Sequence, residues 1–378
     1  MVRIGLYQTY PHGIGGTQRV ILNLAEHLPA YGYQPVIICP EAGVLTQAAR
    51  TAGLDVLISD PGAAWHVYGR GNRALSYITS PARLLHMPRY WHTLRADLRR
   101  NNIALLQCNG LRDLIMAAPA ARLAGVPVVW HVHGLTSLPL LEAAAARLAQ
   151  RVVLVSHGMR EYWQLPPWLV PPHRVIHNGL QMPSIDHNSI NGTPACPPQI
   201  VAVGVLHPRK GYETLLHAMQ QVARVLPQVQ CKIVGGEWGD GSYARDLHDL
   251  SRRLGVDNNV SFLGYQKDVE SILHESTVMV IPSQQETFGM VALEAMTASK
   301  PVVANRTGGL AEIVAHGKTG FLVPPDRPDL MAAALITTLQ HPTLVQQFGA
   351  QGRQRALTEF SAQRMAGSFA ALYREVLR

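Results

Sequence analysis

Short continuous apolar runs recur along the chain and alternate with longer stretches of helical period. In the first half these runs predict strands over residues 3–7, 35–39, 54–58, 104–108, 126–130, 151–155 and 174–176. Unbroken apolar runs, as opposed to in–out alternation, mark parallel strands covered on both faces. Helical patterns such as 17–28 and 138–149 separate them, which predicts a doubly wound parallel sheet. Residues 183–198 break the rhythm, with three prolines and a glycine crowded into 191–198. Such a stretch reads as a linker. A second series follows, with strands expected at 200–203, 230–234, 260–262, 278–281, 301–304 and 321–323. Helices are expected at 212–225 and 244–254, and a last one at 362–377. The expected class is α/β with two Rossmann-like domains facing across a cleft. The boundaries are 1–183 for the first domain, 184–198 for the linker and 199–358 for the second domain. A C-terminal helical segment, 359–378, is expected to pack back toward the first domain. In open sheets of this kind, ligands bind beyond the carboxyl ends of the strands.

Composition narrows this picture only a little. At 378 residues the chain has room for two or three domains with large cores. It is 47% hydrophobic and 15% charged, which excludes a disordered chain. A formal net charge of +8 favours an acidic partner: a phosphorylated ligand, anionic lipid or nucleic acid. The four cysteines are scattered without a C-x-x-C, so neither a zinc site nor a disulfide framework is expected, and a reducing cytosol suits them. The longest apolar region, 114–132, is interrupted by Pro119, Arg122 and Pro127. It falls short of the ~20 uninterrupted residues that a membrane-spanning helix needs.

The candidate chemistry lies at strand ends. Glu286 follows the strand expected at 278–281, and Glu294 stands eight residues later among Val291, Ala292, Leu293, Ala295 and Met296. A carboxylate in such surroundings is costly unless something hydrogen-bonds to it. The helix that begins near Gly289 offers free backbone N–H groups to an anion. Arg209 and Lys210 sit on the loop after the first strand of the second domain, one a fork of donors and the other a point charge for a diphosphate. Gly235 and Leu263 mark the ends of two further strands. In the first domain, Gly13-x-Gly15-x-x-Gln18 matches a dinucleotide fingerprint that lacks its third glycine. His131 and His133 close another strand and share one face of the extended chain.

These pieces occur in order and at the usual spacing. Arg209-Lys210-Gly211, Phe262-Leu263-Gly264, the block from Pro282 to Met296, Lys300-Pro-Val-Val, Gly308-Gly309 and Gly320-Phe-Leu-Val-Pro together resemble the nucleotide-sugar domain of retaining GT-B glycosyltransferases, family 4. The resemblance covers essentially the whole second half. It implies that Glu294 binds the donor ribose, that Glu286 contacts donor sugar hydroxyls, and that Arg209 and Lys210 hold the diphosphate. Backbone N–H groups at Phe288, Gly289, Met290 and Val291 would add to that grip. Gly15 and Gly16 match the N-terminal glycine loop of these enzymes, with Gly16 against the donor phosphates. His133 matches a position facing donor phosphate or sugar. Ser299 departs from the pattern, which commonly has glycine there, and Gln18 stands where glutamate is frequent.

The implied co-substrate is a nucleotide sugar, UDP-sugar before GDP-mannose, with an unknown hydroxyl acceptor. No D-x-D occurs in the chain, so no metal is expected on the diphosphate, and no further cofactor is called for. Residues 66–100 interleave Arg70, Arg73, Arg83, Arg89, Arg95, Arg99 and Arg100 with Tyr68, Tyr77, Tyr90 and Trp91. This composition suits either an anionic membrane surface or a solvated helix face with ordinary aromatic packing. A cytoplasmic location follows, extended to the inner face of the cytoplasmic membrane if that segment binds lipid. No nucleic-acid partner is expected. Three other readings stand beside this one: a catalytically silent nucleotide-sugar-binding protein, a GT-B phosphorylase with a pyridoxal lysine, and an NAD-dependent dehydrogenase.

Overall fold

The computed structural model describes residues 1–62, 81–134, 139–162, 168, 172–181, 197–237 and 239–378, with only the backbone for 81–85, 139 and 161–162. Most of the expected linker, and residues 66–80 of the basic segment, therefore lie outside the described residues.

The chain divides into two compact units. One comprises Met1–Gln181 with Ser361–Arg378, and the other Met182–Phe360. The first unit holds β1 (Val2–Tyr7), β2 (Tyr33–Cys39), β3 (Asp55–Ile58), β4 (Ile103–Cys108), β5 (Val128–Val132), β6 (Arg151–Leu154) and β7 (His173–Val175). They form one parallel sheet in the order β3-β2-β1-β4-β5-β6-β7. The order reverses direction beside β1 and β4, which makes the carboxyl ends of those two strands the place where a doubly wound sheet opens a crevice.

The second unit holds β8 (Gln199–Val203), β9 (Gln230–Val234), β10 (Val260–Gly264), β11 (Val278–Ile281), β12 (Val302–Asn305) and β13 (Gly320–Val323). Its sheet is again parallel, in the order β10-β9-β8-β11-β12-β13, with the reversal beside β8 and β11. Helix Tyr212–Val225 shows how it is built. Tyr212, Leu215, Leu216, Met219 and Val222 recur at helical spacing and are all buried in the core over β8 and β9.

The closing segment of the chain belongs to the first unit. Helix Ala362–Val376 buries Phe369 and Tyr373, and the Tyr373 hydroxyl donates to Gln107 Oε1 at 2.5 Å. Two strands run two residues past their expected ends. β5 runs on to Val132 because His131 is wholly buried and extends the strand like an apolar residue. β10 runs on to Gly264, with a register shift after Phe262. Ser299, where glycine is common in the resembling proteins, has φ 58° just beyond helix Met290–Thr297. That left-handed conformation is what glycine supplies most cheaply.

The described part of the basic segment forms helix Pro81–Arg100. Its aromatic residues face inward. Tyr90 is buried with its hydroxyl 2.6 Å from that of Tyr7, and Trp91 Nε1 donates to the Met116 carbonyl at 3.0 Å. His86, Arg89, His92, Arg99 and Arg100 face outward. In this stretch, Tyr90 and Trp91 pack inward while those basic side chains are displayed. Among the described residues, no helix is long and apolar enough to cross a membrane.

Candidate functional site

Arg209, Lys210 and Glu286 are brought to the connections at the carboxyl ends of β8 and β11, the reversal point of that sheet, with Glu294 on the helix that follows β11. β8 leads through a single 3₁₀ turn, Pro208–Lys210, into helix Tyr212–Val225. β11 leads through residues 282–289 into helix Met290–Thr297. The Lys210 ammonium donates to Glu286 Oε2 at 2.6 Å, and Ser283 Oγ donates to the same oxygen at 3.3 Å. Glu286 is 14% exposed, so this ion pair is partly shielded from water. Lys210 and Glu286, expected to serve phosphate and sugar separately, therefore hold each other. Arg209 is exposed, and its guanidinium makes no hydrogen bond or ion pair among the described residues. It stands as a five-donor fork open to an incoming anion.

Helix Met290–Thr297 begins at Gly289, whose φ of 108° is closed to ordinary side chains. A Cβ there would also lie 2.6 Å from Leu310 Cδ2. The backbone N–H groups of the first turn, at Met290 and Val291, are free of helical partners by geometry. Phe288 is buried against Phe360 and fixes the loop just ahead of that turn. Glu294 is half-buried on this helix, between the buried residues Leu293 and Ala295. Gly235 ends β9 and donates its N–H to the Gly264 carbonyl at 2.9 Å, beside Leu263. The loop of Glu286 is held from below. Wholly buried Asn305 donates to the carbonyls of Pro282 (2.7 Å) and Ser283 (3.3 Å), and Thr307 Oγ1 donates to Ser283 at 3.2 Å.

The first unit presents different chemistry at its strand ends. Helix Gly16–His27 starts at Gly15, and the Gly15 N–H donates to Gln18 Oε1 at 3.1 Å. Gln18, given no role from the sequence, is thus the side chain that closes this helix start. The rings of His131 and His133 are tilted by 54° with centroids 3.9 Å apart, and His131 meets Phe369 edge-on at 5.0 Å. Burial pushes both imidazoles down, His131 well below its usual value and His133 to about 3. His133 is accordingly a neutral group at physiological pH, not a cation for phosphate. Elsewhere in this unit, Asp113 is buried and accepts the Thr9 N–H at 2.8 Å. Burial raises its carboxyl to about 6 against the pull of that hydrogen bond.

Asn305, Thr307, Ser283 and Gln18 were not legible as site residues. The first three are polar residues at or just beyond a strand's carboxyl end, which is the signal that would have found them, whereas Gln18 lies in the first turn of helix Gly16–His27.

Two family sequence models match in tandem. The one described as "Glycosyltransferase Family 4" covers residues 14–182, and the one described as "Glycosyl transferases group 1" covers residues 185–355. Among curated relatives, the D-inositol 3-phosphate glycosyltransferase of Corynebacterium efficiens is 32% identical over 188 residues, which is 49% of this chain and 44% of that protein. The alpha-maltose-1-phosphate synthase of Mycolicibacterium smegmatis is 29% identical over 293 residues, 68% of this chain and 75% of that one. The chain spans less than half the length of several curated relatives that it matches. Among solved structures, Anabaena HepE in complex with UDP and glucose superimposes with a TM-score of 0.78 at 21% identity, covering 99% of this chain and 100% of that one. The sucrose-phosphate synthase of Thermosynechococcus elongatus gives 0.79 at 23% identity, covering 100% and 99%. At these identities the structural likeness establishes the fold.

Proposed function

The chain belongs to glycosyltransferase family 4 with the GT-B fold, and from that premise we propose that it moves a sugar from a nucleoside diphosphate to a hydroxyl acceptor. The acceptor is a hydroxyl of a glycan, a glycolipid or a small molecule. The observation that carries the reading is the meeting of Lys210 and Glu286 at 2.6 Å, on the connections that also bear the exposed Arg209 and the helix start at Gly289. Cations, a carboxylate and free N–H groups at a sheet reversal are what a sugar joined to a diphosphate requires.

In this reading Arg209 and Lys210 take the diphosphate, Glu294 takes the ribose hydroxyls, and Glu286 takes hydroxyls of the transferred sugar. Diphosphate entry draws Lys210 away from Glu286, which frees the carboxylate at the moment the sugar arrives. Gly15 and Gly16 offer their helix start to the phosphates, and His133 contributes a neutral hydrogen bond. The acceptor oxygen attacks the anomeric carbon on the face from which the diphosphate leaves. The C–O bond to phosphate breaks as the new C–O bond forms, and the departing phosphate oxygen takes the acceptor's proton. Configuration is retained without a covalent sugar–enzyme bond, so a glycosyl adduct trapped on Glu286 would refute this assignment. Stabilisation of the leaving group comes from fixed donors, without a metal.

UDP-sugar is the favoured donor, a choice supported by the UDP in the complex of the structurally similar HepE. GDP-mannose is the alternative. A thermal-shift panel of UDP-, GDP-, ADP- and dTDP-sugars, with and without EDTA, tests both points. The expected result is stabilisation by one class of nucleotide, led by UDP-sugar, and unchanged by EDTA. Stabilisation that EDTA abolishes would contradict the metal-free reading, and no stabilisation by any of them would contradict the donor.

A further inference from the structure

Gln284 lies two residues before Glu286 and carries no charge. It nonetheless joins three separate elements of the second unit. Its backbone N–H donates to the Arg209 carbonyl at 2.8 Å, tying the loop after β11 to the loop after β8. Its side-chain amide donates to Asp326 Oδ1 at 2.6 Å, on the turn that follows β13. The same nitrogen lies 3.3 Å from Thr214 Oγ1, in the first turn of helix Tyr212–Val225. The two hydrogens of that amide are thereby both used.

Two further facts tighten the junction. Gly211 has φ 66°, and a Cβ on it would fall 2.1 Å from the Pro282 carbonyl oxygen, so the two loops touch backbone to backbone. Asp326 has φ 55°, a left-handed conformation that costs a residue with a side chain unless its surroundings hold it. The neighbouring Arg327 is engaged by Asp329, at 2.8 and 2.6 Å, which leaves Gln284 as the hydrogen-bond partner of the Asp326 side chain.

We infer that Gln284 is a positioning residue that fixes the loops bearing Lys210 and Glu286 relative to each other, by clamping them together and to the turn at Asp326. The inference rests on the reading of this site as a sugar-donor site. Lys210 adjoins the carbonyl that Gln284 holds, and Glu286 follows Gln284 on the same loop. A shift of either loop therefore moves one partner of the charged pair relative to the other. Asp326 is exposed, so the clamp adds little to global stability and acts on geometry. A displacement of about 1 Å in such a site costs up to about a hundredfold in rate.

The test has two arms. The first uses the ligand-free protein and amide hydrogen exchange read by mass spectrometry. Gln284→Met keeps the side-chain length and removes both donors, and Gln284→Glu sets a carboxylate against Asp326. Both should quicken exchange across residues 208–214 and 282–289 and leave the core strands unchanged. Adding Asp326→Asn to Gln284→Glu rebuilds the hydrogen bond with donor and acceptor exchanged, and should return both segments to wild-type exchange. The second arm is UDP release from UDP-glucose. In each single variant kcat should fall about tenfold or more, with a smaller change in KM, and it should recover in the double variant. Wild-type exchange and kcat in Gln284→Met, or no recovery in the double variant, would overturn the inference. A wild-type protein that neither binds UDP nor releases it from UDP-glucose would overturn the UDP donor instead, and hydrogen exchange alone would then decide the clamp.

Discussion

The two units share a parallel-sheet architecture and differ in what they place at their strand ends. In the second unit the loops after β8 and β11 carry charge: Arg209 open to solvent, and Lys210 paired with Glu286. In the first unit the carboxyl end of β5 carries histidines held neutral by burial, and helix Leu111–Ala124, after β4, carries Asp113, a buried carboxyl that is still mostly ionised near pH 7. His131 and His133 lose their charge to burial, and Asp113 rises to about 6. The backbone topology fixes where a ligand is met, and the side chains decide what the ligand must be. A charged wall suits a diphosphate.

The largest effects should come from the charged side. Arg209→Ala and Glu294→Gln should each lower transfer by about a hundredfold or more, the loss typical of removing a fixed donor or a key carboxylate contact. Lys210→Met should cost about ten- to a hundredfold, with much of the loss in donor affinity, because it removes a phosphate ligand and leaves Glu286 unpaired. Initial-rate kinetics on purified variants separate these effects. Equal losses from charge removal at Lys210 and from His133→Gln would erase the contrast between the units.

Much of this arrangement is legible in the sequence, and the reason is physical. Strands buried on both faces must be continuous apolar runs, so the sheets could be placed to within a residue or two. Charged residues amid apolar ones, such as Glu294, announce themselves by their cost. The supports do not. Asn305, Thr307 and Gln284 act through carbonyls and side chains that only the fold brings near, and no periodicity encodes those meetings. His131 misleads for the opposite reason: a polar residue reads as a strand's end, yet its neutral ring packs as part of the core.

The first unit's buried groups have a pH signature. His131 is depressed when folded and titrates near 6.5 when unfolded, so its contribution is full above ~6.5 and is lost as pH falls, by about 1.4 kcal/mol per pH unit. Asp113 works against this. Its folded value near 6 exceeds the unfolded ~3.9, so protonation between those values favours the folded state. Chemical denaturation from pH 6.5 to 4.5 should therefore show a shallower loss of stability in His131→Leu than in the wild type, and a steeper one in Asp113→Asn. Parallel curves in all three would mean that these groups are not shifted by burial.

The smallest expected effect lies in the second unit's frame. Ser299→Gly should stabilise by roughly 0.5–1 kcal/mol, because glycine relieves the left-handed strain at φ 58°. A lower unfolding midpoint in that variant would show that the serine side chain contributes more than its backbone costs.

The central claim is that the carboxyl ends of β8 and β11 grip a nucleoside diphosphate. Calorimetric titration of UDP into the wild type and Arg209→Ala tests it most directly. The account predicts saturable binding to the wild type and an affinity at least about tenfold weaker in the variant. Equal affinity in both proteins would contradict it.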